Sequence, residues 1–376
     1  MTGRPPQRFR WLLHVDLDQF QVSVERLRSP ELAEVPVIVG GNGDPTEARK
    51  VVTCASYEAR DVGVRAGMPL RAAYRKMPDA IYLPLDTPTY DVASGEVMAV
   101  LRGFGHPLEV WGWDEAYLGV GPIGTADAPT PLDPDIAPDD IRQVAADIRT
   151  AVLDRTGLRS AVGISDNKQR AKMATGFAKR ATGTRPEDRV FLLDATNWIA
   201  LMGDRPVRDL WSVGPRTADK LGAHSIDTVR DLIDAPRDDL IDTFGPHQGN
   251  WLYVLCRGGG DSTVTEEPWL ARSHSKSRTY ATDLVGLDEL RPAAAELAQE
   301  VLEQVVTEER EVFRVAVTVR TTTFYTRTKS RKLPAPTIRL DDIAPVVADL
   351  LGRFDIDRPV RLLGVRLDLV TEEDAA

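Results

Sequence analysis

The stretch HVDLDQFQVSVE, residues 14–25, changes its hydrophobic period halfway along. The residues up to Leu17 alternate as in a half-buried β-strand, and those after Asp18 have the spacing of an amphipathic helix. Two carboxylates, Asp16 and Asp18, stand at this junction, and Gln21 follows one helical turn later. A strand that leads directly into a helix puts its last side chains at the edge of a sheet, beside the unpaired amides of the first helical turn. The stretch therefore predicts a polar site at a sheet edge.

The overall composition is typical of a soluble protein with several domains. The chain has 376 residues, of which 42% are hydrophobic and 28% are charged, enough for more than one packed core. Its two cysteines, Cys54 and Cys256, are distant in sequence, so we expect neither a disulfide scaffold nor a structural zinc site. Its apolar runs are too short to span a membrane, and its first residues lack a signal-peptide pattern. We expect a cytoplasmic monomer.

Charge is unevenly distributed along the chain. The formal net charge of −10 argues against indiscriminate nucleic-acid binding. Residues 312–340, however, contain seven Lys and Arg residues and no acid, and residues 272–282 contain three and no acid. Such segregation predicts a surface that faces a polyanion. The alternative is a strand face whose charges are simply solvated.

A second acidic pair, Asp114 and Glu115, lies at the turn of a predicted hairpin, VWGWDEAYLGV (residues 110–120). If this hairpin is a neighbour of the first strand, both acids converge with Asp16. Carboxylates held together repel one another and are costly without a cation, and their oxygens are ligands that suit Mg²⁺ or Mn²⁺. Two such ions support in-line phosphoryl transfer. The alternative, from spacing alone, is a set of unrelated acids in turns.

The helix after Asp18 has a predicted N-terminal cap. Asp18 is most simply its N-cap residue, and Gln21 then falls at the position that completes a capping box. The amides of residues 19–21 would face outward, ready to bind an anion such as a triphosphate.

The order of the predicted elements indicates an α+β fold. Up to about residue 186, strands and helices follow one another without regular alternation. Short helices come next, and after a linker-like stretch the C-terminal part has period-2 strands around a long helix. Mixed order of this kind favours an α+β core over a regular βαβ series.

Four segments carry a resemblance to a known family: HVDLDQF (14–20), SYEARDVGVRAGMPL (56–70), WDEAYL (113–118) and VGISDNKQRAKMA (162–174). In this order and separation they resemble the signatures of Y-family DNA polymerases, in the DNA polymerase IV (DinB) branch. The resemblance implies a right-hand polymerase with palm, fingers, a helical thumb containing a helix-hairpin-helix, and an α/β little finger. The implied boundaries are 1–27 and 88–186 for the palm, 28–87 for the fingers, 187–260 for the thumb, 261–270 for a linker and 271–376 for the little finger.

The same resemblance implies template-directed nucleotidyl transfer onto a primer 3′-OH, in low-processivity translesion synthesis by a two-metal mechanism. Its partners would be primer–template DNA and an incoming deoxyribonucleotide (dNTP). Two Mg²⁺ or Mn²⁺ ions would be bound by the catalytic acids and one backbone carbonyl, from Asp16, Asp114, Glu115 and Leu17. The nucleotide would contact Gln19, Phe20, Gln21, Cys54, Tyr57, Arg60 and Lys179. The DNA would contact Gly214, Lys220, Lys276, Arg278, Arg320, Arg327 and Arg331.

Gln21 departs from the family pattern, because relatives carry Phe or Tyr at this steric-gate position, against C2′ of the sugar. Glutamine is narrower, and its amide can hydrogen-bond a 2′-hydroxyl that would otherwise cost about 1–3 kcal/mol to desolvate. We therefore expect ribonucleotides (rNTPs) to be incorporated alongside dNTPs. The alternative is that Gln21 only completes the capping box and that backbone placement excludes rNTPs.

Three further places differ from the family. Cys54 replaces a threonine whose hydroxyl contacts the triphosphate in relatives, so that contact is not expected. Ser225 stands where the closing glycine of a helix-hairpin-helix is common. The final residues, LVTEEDAA (369–376), lack the Gln-containing peptide that binds the sliding clamp in relatives, so unaided, distributive synthesis is expected.

Two other functions share part of this pattern. Some Y-family-like proteins have lost their acids and serve as scaffolds, and nucleotidyl cyclases use a similar metal-binding palm. Retention of Asp16, Asp114 and Glu115 argues against a scaffold. A cyclase would have no use for the basic strands or for the helix-hairpin-helix of WSVGPRTADKL (211–221).

Overall fold

The structure, a computed structural model, describes residues 7–125, 137–180, 186–267 and 270–371. Residues 372–376, on which the clamp-peptide prediction mainly rests, and two residues of the predicted linker lie outside these ranges. Within them, no helix combines the length and the apolar character needed to cross a membrane.

The described chain contains thirteen strands and thirteen α-helices. The strands are β1 (Gln7–Leu17), β2 (Val37–Val39), β3 (Cys54–Ala55), β4 (Ile81–Leu83), β5 (Leu108–Val110), β6 (Glu115–Thr125), β7 (Ser160–Ser165), β8 (Val190–Leu192), β9 (Thr263–Val264), β10 (Ser273–Leu284), β11 (Val312–Thr321), β12 (Thr326–Thr337) and β13 (Val360–Leu369). The helices are α1 (Phe20–Arg28), α2 (Tyr57–Asp61), α3 (Leu70–Lys76), α4 (Thr87–Arg102), α5 (Pro138–Thr156), α6 (Lys168–Arg180), α7 (Trp198–Met202), α8 (Pro215–Gly222), α9 (Val229–Asp234), α10 (Arg237–Phe244), α11 (Pro246–Cys256), α12 (Gly286–Thr307) and α13 (Leu340–Gly352). This mixture confirms the predicted α+β class.

The described chain divides into two units, each with its own hydrophobic core. The first comprises residues 7–43, 53–66, 79–125, 137–180 and 186–267, and the second comprises residues 44–52, 67–78 and 270–371. The second unit thus combines the predicted little finger with two segments of the predicted fingers. The predicted linker contributes β9, which pairs with β1 in the first unit. The boundaries inferred from the sequence stay predictions.

The sheet that carries the predicted acids has the strand order β5-β6-β1-β7-β8, with β9 also paired to β1. Strand β1 is antiparallel to both β6 and β7. Its alternation directs Val15 and Leu17 into the main core, to which α4 and α5 contribute. Leu12, His14 and Asp16 therefore lie on the opposite face, where α6 packs.

Helix α6 presents one stripe of side chains to this face of the sheet. Lys168, Lys172, Thr175 and Lys179 recur at intervals of four, three and four residues, which is the spacing of one helical face. Thr175 hydrogen-bonds the ring of His14 (2.8 Å) and so joins the helix to β1. The stripe consequently brings lysine side chains to the strands that carry the acids.

The sheet of the second unit is four-stranded and antiparallel, in the order β10-β13-β11-β12. Strands β11 and β12 form a hairpin, and α12 and α13 pack against the sheet. Helix α13 is not among the predicted elements. It contains Pro345, a residue that disfavours a helix interior, but Ile343, Val347 and Leu350 still form a buried stripe.

The close packing of α6 on the first sheet can be tested by a substitution at Gly163 in β7. A Cβ atom at this position would overlap the Ala171 carbonyl oxygen and the Thr175 amide nitrogen of the helix. We expect Gly163→Ala to force α6 away from the strand at a cost of about 2–3 kcal/mol, which lowers the thermal unfolding midpoint by about 5–10 °C. Gly176→Ala is the matched control, because its Cβ would meet only Arg180 Nη1, at 4.0 Å. An unchanged midpoint for Gly163→Ala would contradict this packing.

Candidate active site

The predicted acids meet where β1 ends beside the beginning of β6. Asp16 of β1 is paired in register with Glu115, the first residue of β6. The backbone amide of Leu17 donates a hydrogen bond to the carbonyl oxygen of Asp114 (2.8 Å). The structure thus brings the three acids and Leu17 together at one place in the sheet.

Burial and the negative charges of its neighbours disfavour the ionised form of one acid in this cluster, Asp114. Burial, followed by the negative charges of Asp16 and Glu115, raises the pKa of Asp114. A raised carboxyl pKa means that the surroundings disfavour the charged form. Asp114 is therefore an acid whose ionised state the fold opposes.

The other two acids form ion pairs with lysines of α6, and Glu115 also accepts a hydrogen bond from a histidine. His14 Nε2 lies 3.3 Å from Glu115 Oε2, and Lys172 forms an ion pair with the same carboxylate. The hydrogen bond from His14, followed by the charge of Lys172, lowers the pKa of Glu115 to about 2. Lys179 forms the corresponding ion pair with Asp16.

The donor set fits divalent cations. Among the described residues, no group of three or more Asp, Glu, His or Cys side chains is arranged so that it could hold a metal ion, and two of the carboxylates bind lysines. Carboxylate and backbone oxygens are nevertheless the ligands that Mg²⁺ and Mn²⁺ prefer. A nearby cation would also relieve the repulsion that raises the pKa of Asp114.

The junction between β1 and α1 differs from the predicted capping box. Helix α1 begins at Phe20, and Gln19 is its N-cap residue, in a left-handed conformation (φ 40°) and without a side-chain cap. The Asp18 carboxylate instead accepts hydrogen bonds from the Tyr57 hydroxyl (2.9 Å) and from Arg189 (2.6 Å). The predicted capping box is therefore wrong, because residues distant in sequence bind the Asp18 side chain.

A cavity of about 260 Å³ opens beside the acids. Its lining includes nine residues predicted to bind metal or nucleotide: Asp16, Leu17, Gln19, Phe20, Gln21, Cys54, Arg60, Asp114 and Lys179. Its other lining residues are Thr53, Ala66 and Trp113. The cavity thus combines an acidic edge with two cationic side chains, which suits an anionic ligand accompanied by metal ions.

Two predicted residues, Tyr57 and Glu115, are not part of this lining. Burial, together with the charge of Asp18, raises the pKa of Tyr57 to about 12, so its hydroxyl remains a donor at neutral pH. Arg60 lies over the Tyr57 ring, 5.3 Å from its centroid. Its Nε donates to the Ala55 carbonyl oxygen (2.8 Å), which anchors the guanidinium group at the cavity wall.

The residues that depart from the family pattern, Gln21 and Cys54, are both buried in the cavity wall. Each is 8% exposed. Cys54 is a free thiol, a much weaker hydrogen-bond donor than a hydroxyl. Gln21 Oε1 accepts a hydrogen bond from the hydroxyl of Thr53 (2.7 Å), so its side chain is held by a partner outside its own helix.

Sequence reasoning did not identify His14, Lys172 and Thr53 as part of the site. Periodicity carried a signal for the first two: His14 shares a strand face with Asp16, and Lys172 shares a helix face with Lys179. For Thr53 there was no such signal, because its contact depends on how the segment before β3 folds against α1.

The predicted helix-hairpin-helix lies in the first unit. Gly214 is the N-cap residue of α8, with open space where a Cβ would be. Ser225 adopts a left-handed conformation (φ 61°), which glycine favours, so the turn is kept without the glycine. Lys220 contacts the Thr243 carbonyl and the ring of Phe244, and is thus engaged within the thumb.

The basic strands of the second unit are partly neutralised by helices. Lys276 and Arg278 of β10 form ion pairs with Glu300 of α12. Arg331 of β12 forms one with Asp349 of α13. Acids distant in sequence thus pack beside basic residues of segments that contain no acid themselves, and the polyanion-facing surface stays a prediction.

The remaining two predicted DNA contacts lie at the connected ends of β11 and β12. Arg320 Nε donates to the Thr326 hydroxyl (2.8 Å). Arg327 Nε donates to the Tyr325 hydroxyl (3.0 Å) and lies over that ring. The hydrogen-bond partners of both arginines are thus neutral groups.

Comparison with known proteins identifies the family. Residues 15–176 match the profile of the impB/mucB/samB family, residues 271–376 match the C-terminal domain of that family, and residues 208–259 match the DNA polymerase-iota thumb domain. The chain is 54% identical over 360 residues to DNA polymerase IV 2 of Mycobacterium tuberculosis (strain ATCC 25618 / H37Rv), covering 96% of this chain and 98% of that one. It is 34% identical to DNA polymerase IV of Methanoculleus marisnigri (strain ATCC 35101 / DSM 1498 / JR1), covering 96% and 94% respectively.

Solved structures share the fold. The Y-family DNA polymerase chimera Dbh-Dpo4(243-245)-Dbh superposes with a TM-score of 0.80 at 24% identity, covering 95% of this chain and 98% of that chain. An insertion ternary complex of Dbh DNA polymerase gives a TM-score of 0.62 at 23% identity, covering 96% and 99%. The right-hand architecture with a helix-hairpin-helix thumb is thereby confirmed.

The matched family domains and the similarity to DNA polymerase IV define the class of this chain, a nucleotidyltransferase that synthesises DNA. The chain belongs to the Y-family DNA polymerases, in the DNA polymerase IV branch. It is accordingly a DNA-directed DNA polymerase of the translesion class, which confirms the family and enzyme class that the four motifs indicate.

The burial of Asp114 and the negative charges beside it predict that its own charge destabilises the metal-free protein. Because the folded protein raises the pKa of this carboxyl, its ionised form costs stability at pH 7, and the cost disappears as the pH falls through that raised pKa. We expect Asp114→Asn to raise the thermal unfolding midpoint in EDTA at pH 7 by about 2–4 °C, with a smaller gain at acid pH. Asp139→Asn, at a 96% exposed carboxylate, is the control, and a lower midpoint for Asp114→Asn would contradict the repulsion.

Proposed function

We propose that the chain transfers a nucleotide onto a primer 3′-OH by a two-metal mechanism. The observation that carries this proposal is the register pairing of Asp16 with Glu115, beside an Asp114 whose pKa is raised by burial and by the charges of these two acids. These carboxylates and the Leu17 carbonyl would hold two Mg²⁺ or Mn²⁺ ions, which when bound activate the primer hydroxyl and stabilise the leaving pyrophosphate.

The cavity beside the acids is the proposed nucleotide site. Arg60 and Lys179 line it, and with the Tyr57 hydroxyl they would hold the β and γ phosphates. A guanidinium fork suits this task because it binds phosphate oxygens in pairs. Gln19 and Phe20, at the start of α1, would lie along the sugar and triphosphate.

Primer–template DNA would be held by the thumb (187–260) and the little finger (271–376). Gly214 would present backbone amides of the α8 N-terminus to a phosphate, and Arg320 and Arg327 would contact the template backbone. Such contacts give affinity without sequence preference. Four of the predicted DNA contacts bind other protein groups, and each would have to leave that group before it could contact DNA: Lys220, Lys276, Arg278 and Arg331.

A catalytic role is favoured over a scaffold, since the three acids are present and lie together. One chain supplies all the proposed metal and nucleotide contacts, so a monomer suffices. We also propose that unaided synthesis is distributive.

We further propose that sugar selectivity is relaxed and that rNTPs are used as well as dNTPs. Gln21 lines the nucleotide cavity at the position of the family's aromatic gate. Its narrower side chain leaves space near C2′, and its amide can pair with a 2′-hydroxyl, so that desolvating the hydroxyl carries less cost.

Asp114→Ala tests the catalytic assignment. Loss of a metal-binding carboxylate removes charge stabilisation of the transition state, so we expect primer extension with Mg²⁺ or Mn²⁺ to fall at least about a hundredfold. Asp139→Ala, at an exposed carboxylate on α5, should extend primers at the wild-type rate. Unchanged extension by Asp114→Ala would refute the assignment, and a cyclic product formed without primer would point to a cyclase.

Gln21→Phe tests the sugar selectivity. A phenyl ring would occupy the space of the 2′-hydroxyl, so we expect the preference for dNTP over rNTP, measured as a ratio of kcat/KM, to rise by about a hundredfold or more. Insertion of dNTPs serves as the internal control for folding. A preference of the wild-type protein for dNTPs in the thousands would overturn the proposal.

A further inference from the structure

Gln21, the proposed sugar-contacting residue, is held by another segment of the chain. The Thr53 hydroxyl donates to Gln21 Oε1 (2.7 Å). Thr53 is itself tied to the buried strand β2: its backbone amide donates to the Val39 carbonyl oxygen (2.8 Å), and its hydroxyl lies 3.1 Å from the same oxygen. Both Gln21 and Thr53 line the nucleotide cavity. The cavity wall therefore contains a polar pair anchored to strand β2.

The hydrogen-bond chemistry assigns the orientation of the Gln21 amide. A threonine hydroxyl has one proton to donate. Of the two oxygens that this proton can reach, Gln21 Oε1 is the closer (2.7 Å, against 3.1 Å for the Val39 carbonyl oxygen), so we assign the proton to Gln21 Oε1. Among the described residues, Thr53 is the one that hydrogen-bonds this side chain. The two N–H donors of the Gln21 amide are thus available to a ligand in the cavity.

We infer that Thr53 is a specificity-determining residue, which positions the Gln21 amide to donate a hydrogen bond to the 2′-oxygen of a ribonucleotide. The inference rests on the proposed function, since it takes Gln21 to contact the sugar. A ribose supplies an acceptor for this amide, whereas a deoxyribose leaves a desolvated N–H group without a partner. The pair therefore favours ribose by hydrogen bonding, in addition to the space that the missing aromatic ring leaves.

Thr53→Val tests this role. Valine keeps the shape of threonine but lacks the hydroxyl, so the Gln21 amide loses its fixed orientation while the cavity keeps its size. We expect kcat/KM for rNTP insertion to fall about five- to tenfold, the effect of one hydrogen bond, with dNTP insertion changed less than about twofold. Thr53→Ser retains the hydroxyl and is expected to keep the wild-type ratio of rNTP to dNTP efficiency.

A double variant distinguishes an effect through Gln21 from a general change in the cavity. Methionine has about the length of glutamine without the amide, so Gln21→Met removes the donor. In that background, Thr53→Val is expected to leave the ratio of rNTP to dNTP efficiency unchanged, because the two residues act through one hydrogen bond. An equal fall in both backgrounds would overturn the inference.

Arabinonucleotides provide a control with the same functional group in another place. Their 2′-hydroxyl projects from the opposite face of the sugar, away from the position at which the Gln21 amide would meet a ribose. Thr53→Val is therefore expected to leave arabinonucleotide insertion, relative to dNTP insertion, unchanged. A parallel loss of arabinonucleotide and rNTP insertion would count against the proposed contact.

Failure of the inference and failure of the proposed function give different results. If the wild-type protein prefers dNTPs by thousands, the proposed sugar selectivity is wrong and the role of Thr53 is wrong with it. If the wild-type protein uses rNTPs and Thr53→Val uses them equally well, the sugar selectivity stands and the role of Thr53 is refuted.

Discussion

Repulsion between three carboxylates at one place in the sheet constrains the rest of the site. The register of β1 and β6 puts Asp16 opposite Glu115, and a backbone hydrogen bond between Leu17 and Asp114 keeps the third acid beside them. Clustered carboxylates are costly unless positive charge is near. Lysines of α6 supply such charge to two of the acids, which requires α6 to pack closely on the sheet. Because Gly163 has no side chain, α6 can lie that close to the sheet.

Sequence analysis predicts those parts of this arrangement that regular periodicity or motif order encodes. The alternation of residues 12–17 places Asp16 on a defined face of a strand, and the hairpin of residues 110–120 forms as its pattern indicates. The order of four motifs indicates the right-hand fold and the enzyme class. These features depend on near neighbours in sequence or on the succession of elements, both of which a single chain displays.

Contacts between distant segments are not predictable in this way. A capping box at Asp18 is a sound local expectation, stabilising by about 1 kcal/mol, but Tyr57 and Arg189, 39 and 171 residues away, bind its carboxylate. Arg189 brings an opposite charge to the carboxylate and Tyr57 adds a second hydrogen bond, whereas a cap offers neutral backbone amides, so the tertiary contacts prevail. The same reason applies to β10, where Glu300 reaches Arg278 from a helix. A sequence shows the spacing of charges along the chain, whereas packing decides which charges meet.

At Gln21, a contact that the sequence does not reveal changes which sugar the site is expected to favour, ribose or deoxyribose. Considered alone, the residue is a smaller side chain in place of an aromatic one, and the expected consequence is a weaker penalty on ribose. Held by Thr53, it becomes a buried polar group, and such groups discriminate against a ligand that fails to pair with them. An aromatic gate penalises the larger sugar; an anchored amide would penalise the sugar that lacks an acceptor. The selectivity would then depend on a contact between residues 21 and 53, neither of which lies within the four motifs that identify the family.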